Sequence, residues 1–150
     1  MKNKIFNWNS IKLSECNSTN AELRNYCDQN GPIPGSLIST SKQLSGKGRY
    51  QRLWESPLGN LAFSFLTSTP VVAKSYQLNL VAGLCVQQTI QKLYPIEAKL
   101  KWPNDVYVNN KKISGILSEG YDDKHCIIGI GINFNSLKKD FPAELQNKLT

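Results

Sequence analysis

Long hydrophobic runs are missing from this 150-residue chain. No stretch approaches the roughly 20 apolar residues that cross a bilayer, and the N-terminus MKNKIFNWNSIKL mixes polar residues into its apolar ones, so neither a secretory leader nor a membrane span is expected. Imidazole and thiol are scarce as well. The one histidine, His125, stands beside Cys126, where strand neighbours point to opposite faces, and Cys16, Cys27, Cys85 and Cys126 form no CxxC pair. A metal site is therefore not expected, and free thiols suit a reducing, cytoplasmic setting. Acidic residues are few: 11 against 18 Lys and Arg, a net charge of +7, which favours anionic partners and equally serves solubility. With 40% hydrophobic and 19% charged residues, and ordinary counts of Gly (10) and Pro (7), disorder and fibrous repeats are excluded and one globular domain with one main cleft is expected.

Apolar periodicity predicts short strands at 5–8 and 11–13, a helix through 21–26 stopped by Gly31 and Pro32, and a strand at 36–40. From 41 to 52 the pattern lapses into a stretch read as a mobile loop. A buried strand follows at 61–66, then a long helix at 73–93 with Leu78, Ala82, Cys85, Val86, Ile90 and Leu93 on one face. Strands at 98–102, 106–108, 113–118 and 126–132 suggest an antiparallel meander, with Asn109 and Asn110 at a hairpin turn. Asp140 can cap a last helix carrying Phe141, Leu145 and Leu149. The whole, residues 1–150, reads as one α/β domain of the α+β type, a largely antiparallel mixed sheet with flanking helices.

Two segments stand out chemically. Gly46-Lys47-Gly48-Arg49-Tyr50-Gln51-Arg52 joins two glycines, which allow backbone amides close to a ligand, to three cations in seven residues, a combination suited to phosphate. It is neither a Walker A loop nor a dinucleotide fingerprint, and alone it reads more readily as a solvated basic turn. KWPND at 101–105 crowds a Lys, a Trp, a strand-stopping Pro and two short polar residues into one turn, although each residue singly has an ordinary structural use.

Taken together, Ser18-Thr19-Asn20, GKGRYQRLW at 46–54, SPLGN at 56–60, KWPND at 101–105, KKISGIL at 111–117 and GIGIN at 129–133 resemble the catalytic domain of the biotin protein ligase family, over about residues 10 to 135. The resemblance implies a fold akin to class II aminoacyl-tRNA synthetase cores. It also implies a two-step reaction: biotin and MgATP give biotinyl-AMP, and the acyl group then passes to a lysine of a biotin carboxyl carrier domain, as in acetyl-CoA carboxylase. By resemblance Lys112, Arg49 and Asp105 carry the chemistry, which must bring two anions together and so needs fixed positive charge more than a nucleophile. Ser18, Thr19, Asn20, Gln43, Gly46, Lys47, Gly48 and Gly115 fall on the biotin side with Lys112. Arg49, Arg52, Asn104 and Asn133 fall on the nucleotide side, with Asn104 and Asn133 also read as supports behind the first contacts. Trp54 and Trp102 are read as packing residues at the loop base and strand end, Trp54 on the nucleotide side.

The chain departs from the family's usual Gly-Arg-Gly-Arg-Arg-Gly-Arg loop at Lys47, Tyr50 and Gln51. Lysine loses arginine's planar fork, and Gln51 is expected to remove the freedom for positive φ. The family's usual continuation over the adenine, its C-terminal β-barrel and the N-terminal helix-turn-helix of repressor-type members do not follow from these 150 residues. No operator binding is expected, and biotin is expected to be held better than the adenylate. Competing readings are a biotin or biotinyl-AMP binder with little turnover, a lipoyl or octanoyl transferase or ligase of the related fold, and, more remotely, a basic nucleic-acid module.

Overall fold

The computed structural model describes residues 7–68 and 75–146. Its strands β1 (Asn9–Leu13), β2 (Ser36–Thr40), β5 (Leu61–Ser68), β6 (Ala98–Lys101), β7 (Asp105–Val108), β8 (Lys111–Gly120) and β9 (His125–Ile132) form one seven-stranded sheet in the order β1-β2-β5-β9-β8-β7-β6. Only β1 and β2 run parallel; every other pair is antiparallel. A separate two-stranded ribbon, β3 (Gln43–Lys47) and β4 (Leu53–Ser56), stands over the sheet's centre. Among the described residues two α-helices flank the sheet, α1 (Thr19–Asn30) and α2 (Ser75–Leu93).

Strand alternation sends the helices to opposite faces. Along β9, Cys126, Ile128 and Ile130 join the core under α2, against Ala82, Val86 and Ile90. Ile127 turns the other way, into a smaller core with Leu23 and Cys27 of α1, Ile38 and Leu66. A strand covered on both faces needs apolar residues at successive positions, which is why β9 reads as a nearly continuous apolar run. The β7–β8 turn is closed by Asn109 (φ 49°) and Asn110 (φ 61°), the left-handed pair of a two-residue hairpin that asparagine tolerates better than most residues.

The meander, both helices and the strand at 36–40 stand where the periodicity puts them, with four differences. Of the two N-terminal strands the second runs Asn9–Leu13, Asn7 and Trp8 are not strand, and Ile5 and Phe6 lie outside the described residues. Within the stretch at 41–52, Gln43–Lys47 is a paired strand rather than loop, Gly46 and Lys47 facing Trp54 and Leu53 across the ribbon, while Arg49–Gln51 is a 3-10 turn at its tip. On α2, Cys85 and Leu93 are exposed, since Leu78, Ala82, Val86 and Ile90 at four-residue spacing already fill the contact with the sheet. Through residue 146 the expected last helix does not form: a single 3-10 turn, Lys138–Asp140, precedes turns, with the Asp140 carboxylate accepting from Leu137 N and Phe141 buried. Ala73 and Leu149 lie outside the described residues.

Candidate active site

The register lays small residues side by side on the α1 face of the sheet. Ala62, Gly131, Gly115 and Asp105 form one row across β5, β9, β8 and β7, and Ser64, Gly129 and Leu117 form the next. The floor is therefore almost bare backbone, and the ribbon roofs it to make a cleft of about 300 Å³. Each glycine is required by what lies on it. A Cβ on Gly131 would stand 2.5 Å from the Trp54 indole, one on Gly115 2.8 Å from it, and one on Gly129 would collide with the Asn20 amide.

One end of the cleft is neutral and hydrogen-bonded. Ser18, in extended conformation, is the N-cap of α1, so Thr19 and Asn20 open the helix with buried side chains turned to the sheet. Gln43 Oε1 accepts from Thr19 N at 2.8 Å and from Thr19 Oγ1 at 3.2 Å. Ser64 Oγ stands 2.7 Å from Thr19 Oγ1 and 2.6 Å from Asn20 Oδ1. Asn20 Nδ2 donates to Glu119 Oε2 at 2.5 Å. A carboxylate only accepts, so Glu119 fixes the amide's orientation and leaves its oxygen facing Ser64.

The other end is cationic. Lys112 Nζ pairs with Asp105 Oδ1 at 2.7 Å, both side chains about a quarter exposed, and lies 5.2 Å over the Trp54 ring. A β-bulge makes this possible. Between Val106↔Ser114 and Tyr107↔Lys112 the register skips Ile113, so Lys112 and Gly115, three apart, share one face, as a regular strand would forbid. Asn133 is buried behind the lysine: its Nδ2 donates to Lys112 O at 3.3 Å, its N to Ile113 O at 2.8 Å, and its Oδ1 accepts from Asn60. Asn104 ties the KWPND turn to β8, Nδ2 donating to Ile116 O at 2.9 Å.

Arg49 and Arg52 hang from the ribbon's tip, where Gly48 N donates to Arg52 O and Arg52 N to Arg49 O. The Arg49 guanidinium stacks 4.9 Å from the Tyr50 ring and donates to its hydroxyl at 3.0 Å. Tyr50 (φ 56°) and Gln51 (φ 60°) are both left-handed, so the turn keeps positive φ without glycine, contrary to the expectation for Gln51. That conformation costs non-glycine residues about 1 kcal/mol each.

Ser18, Thr19, Asn20, Gln43, Lys47, Gly48, Arg49, Arg52, Trp54, Asn104, Asp105, Lys112 and Gly115 all line the cleft. Gly46 and Asn133 do not: Gly46 lies against the Trp54 backbone and Asn133 behind Lys112. Trp54 packs as expected, while Trp102, beside Tyr76, is 65% exposed. Sequence reasoning missed Ser64 and Glu119, which brace Asn20, and the floor residues Ala62, Gly129 and Gly131; the period-two small residues of β5 and β9 are the signal that marks the floor. Burial pushes the thiols of Cys16, Cys27 and Cys126 up, Cys16 to about 11 with Glu22 adding to the effect, so none of the three is poised as a nucleophile near neutral pH. No three His, Cys, Asp or Glu residues cluster as a metal set among the described residues.

Residues 13–133 match the model of the Biotin/lipoate A/B protein ligase family. Over 156 residues the chain is 35% identical to the Bifunctional ligase/repressor BirA of Bacillus subtilis, covering 100% of this chain and 48% of that protein. Over 150 residues it is 31% identical to the Biotin--[acetyl-CoA-carboxylase] ligase of Mycobacterium tuberculosis, covering 95% and 56%. It is also similar to the solved structure of biotin protein ligase from Aquifex aeolicus in complex with biotin and ATP, with a TM-score of 0.82 at 39% identity, covering 95% of this chain and 58% of that one. The chain thus spans about half the length of the relatives it matches.

Proposed function

The chain belongs to the biotin/lipoate A/B protein ligase family, and on that premise we propose that it carries the catalytic core of a biotin protein ligase, joining biotin to AMP and passing the acyl group to a carrier-domain lysine. The observation that carries this reading is the cleft's division into a neutral, hydrogen-bonded end and a cationic end, with Trp54 lying between them over Gly131 and Gly115. Biotin has the matching division: an uncharged ureido ring at one end and a carboxylate at the other. Thr19, Asn20 and Gln43 offer donors and acceptors to the ring, and Ser18 stands beside them. Lys112, Arg49 and Arg52 face the carboxylate and the nucleotide's phosphates.

In the first step a carboxylate oxygen attacks the α-phosphorus and the bond to pyrophosphate breaks. Two anions must meet, and each unit charge neutralised at about 4 Å is worth up to about 4 kcal/mol at an effective dielectric near 20. Lys112, held by Asp105 and backed by Asn133, is the preorganised cation for this step. In the second step the acceptor lysine, as free amine, attacks the acyl carbon and AMP departs with the electron pair; Asp105 is the carboxylate placed to take the acceptor's proton. Among the described residues Asp105 is the sole carboxylate lining the cleft and is already paired, a donor set that fits Mg2+ arriving on the phosphates of ATP rather than a resident ion. The acceptor is a biotin carboxyl carrier domain, that of acetyl-CoA carboxylase being the leading candidate. Four free cysteines favour a cytoplasmic setting, and among the described residues no helix is long and apolar enough to cross a membrane.

The test is exchange of labelled pyrophosphate into ATP. Exchange should appear with biotin and not without it. Equal exchange with octanoate or lipoate would move the assignment to the lipoyl side of the family; tight biotin binding with no exchange would make the chain a binder.

A further inference from the structure

The neutral end of the cleft is a chain of hydrogen bonds whose direction is fixed from both ends. At one end Glu119 Oε2 accepts from Asn20 Nδ2 at 2.5 Å, so the amide cannot turn over without setting its own oxygen against the carboxylate. At the other, Gln43 Oε1 accepts from Thr19 N at 2.8 Å, a backbone donor, so it is an oxygen that faces the Thr19 hydroxyl. Between them stand two hydroxyls with one proton each. Ser64 Oγ, 2.6 Å from Asn20 Oδ1, must donate there, and it then accepts from Thr19 Oγ1 at 2.7 Å. The Thr19 proton serves this shorter contact. The longer one, Thr19 Oγ1 to Gln43 Oε1 at 3.2 Å, is filled only when the donors run the other way. Thr19 and Gln43 both line the cleft, and Thr19 and Ser64 are buried, so the two facing oxygens are left seeking a donor from a ligand.

We propose that Glu119, standing behind Asn20, is the positioning residue that makes Thr19 Oγ1 and Gln43 Oε1 a pair of acceptors for one ureido N–H of the substrate. It thereby sets the preference for a ureido ring over the acyl chains of lipoate and octanoate. The inference rests on the ligase reading and names what fixes its specificity. A carboxylate has no proton to give, so the chain cannot reverse. With Glu119→Gln the side chain offers an NH2 as well as an oxygen, and reversal is open. The NH2 donates to Asn20 Oδ1, Asn20 Nδ2 to Ser64 Oγ, Ser64 to Thr19 Oγ1, and Thr19 to Gln43 Oε1. That direction fills every contact internally, so the empty protein favours it and the acceptor pair closes. An entering N–H must then break a bond. With the carboxylate in place the pair stays open, and because buried acceptors without a donor are costly, ligands lacking the N–H are rejected.

The test is calorimetric binding of biotin and of its two ureido N-methyl derivatives to the unchanged chain, Glu119→Gln, Ser64→Ala and the double variant. Circular dichroism checks folding and pyrophosphate exchange gives activity. The unchanged chain should bind one N-methyl derivative at least about 100-fold more weakly than biotin. Glu119→Gln should bind biotin about tenfold more weakly and that derivative as before, so the ratio narrows about tenfold; KM for biotin should rise with it while kcat stays within about twofold. Ser64→Ala removes the oxygen that draws the Thr19 proton, which turns to Gln43, so the same narrowing is expected. The double variant should then add nothing to either single change. A ratio unchanged in Glu119→Gln, or losses that multiply in the double variant, would overturn the proposal and leave biotin-dependent exchange, and so the ligase reading, intact. A ratio that narrows in a chain showing no exchange would uphold the proposal and overturn that reading.

Discussion

Along β9, Cys126, Ile128 and Ile130 are pressed against α2, while Gly129 and Gly131, one residue away, are met by Asn20 and Trp54. β5 and β8 repeat the division: Phe63, Phe65 and Ile116 turn toward the α2 side, and Ala62, Ser64 and Gly115 toward the cleft. Branched side chains on one face lock the strands in register. That register is what holds the other face flat and bare, so the packed face positions a floor that contributes almost no side chains of its own. The neutral end of the cleft is then buried and mutually bonded, whereas the cationic end is partly carried on an exposed ribbon tip.

Filling the bare face should break this arrangement most severely. Gly131→Val places side-chain atoms where the Trp54 indole lies, and adenylation should fall by on the order of 10³ or more, read by pyrophosphate exchange, with the protein still folded by circular dichroism. Removing the fixed charge comes next. Lys112→Ala should cut exchange by on the order of 10² to 10³ while leaving biotin's ring contacts in place, and Lys111→Ala should do little. Equal losses in the two would mean that net charge alone matters. On the packed face, Ile128→Val should lower stability by roughly 0.5 to 1.5 kcal/mol in denaturant unfolding, with exchange per folded molecule unchanged.

The smallest effect lies farthest from the floor, at the β8–β9 turn. His125 Nδ1 stands 2.9 Å from both Asp122 oxygens, and this hydrogen bond, with one from Lys124 N, holds the carboxyl below its usual range. A carboxyl depressed on folding stabilises above its unfolded pKa, and the contribution is lost as pH falls through the folded value. Thermal unfolding of the protein and of Asp122→Asn should therefore differ slightly at neutral pH and converge in acid; a gap that persists at the acid end would contradict it.

Much of this architecture is legible in the residues themselves. Strand and helix periodicity locates α1, α2 and the β6-to-β9 meander, because those elements bury one regular face or both. The Lys112–Gly115 spacing is visible too, but the bulge at Ile113 that puts both on one face is not, since only the partner strand reveals a skipped residue. The ribbon of β3 and β4 escapes for a related reason: Gln43 to Lys47 has no apolar alternation, and it is held by its pairing with β4 and by bonds to a segment distant in sequence, such as Leu44 N to Cys16 O. Ser64 and Glu119 look like ordinary strand polar residues until the fold sets Asn20 between them.

The most direct test of the central claim, that one bare, register-held floor serves both the neutral and the cationic chemistry, is the intact mass of a biotin carboxyl carrier domain incubated with this chain, biotin and MgATP. The carrier should gain the mass of one biotinyl group, only when ATP is present, and gain nothing with the Gly131→Val protein. A carrier left unmodified by the unchanged chain, or modified equally well by Gly131→Val, would contradict it.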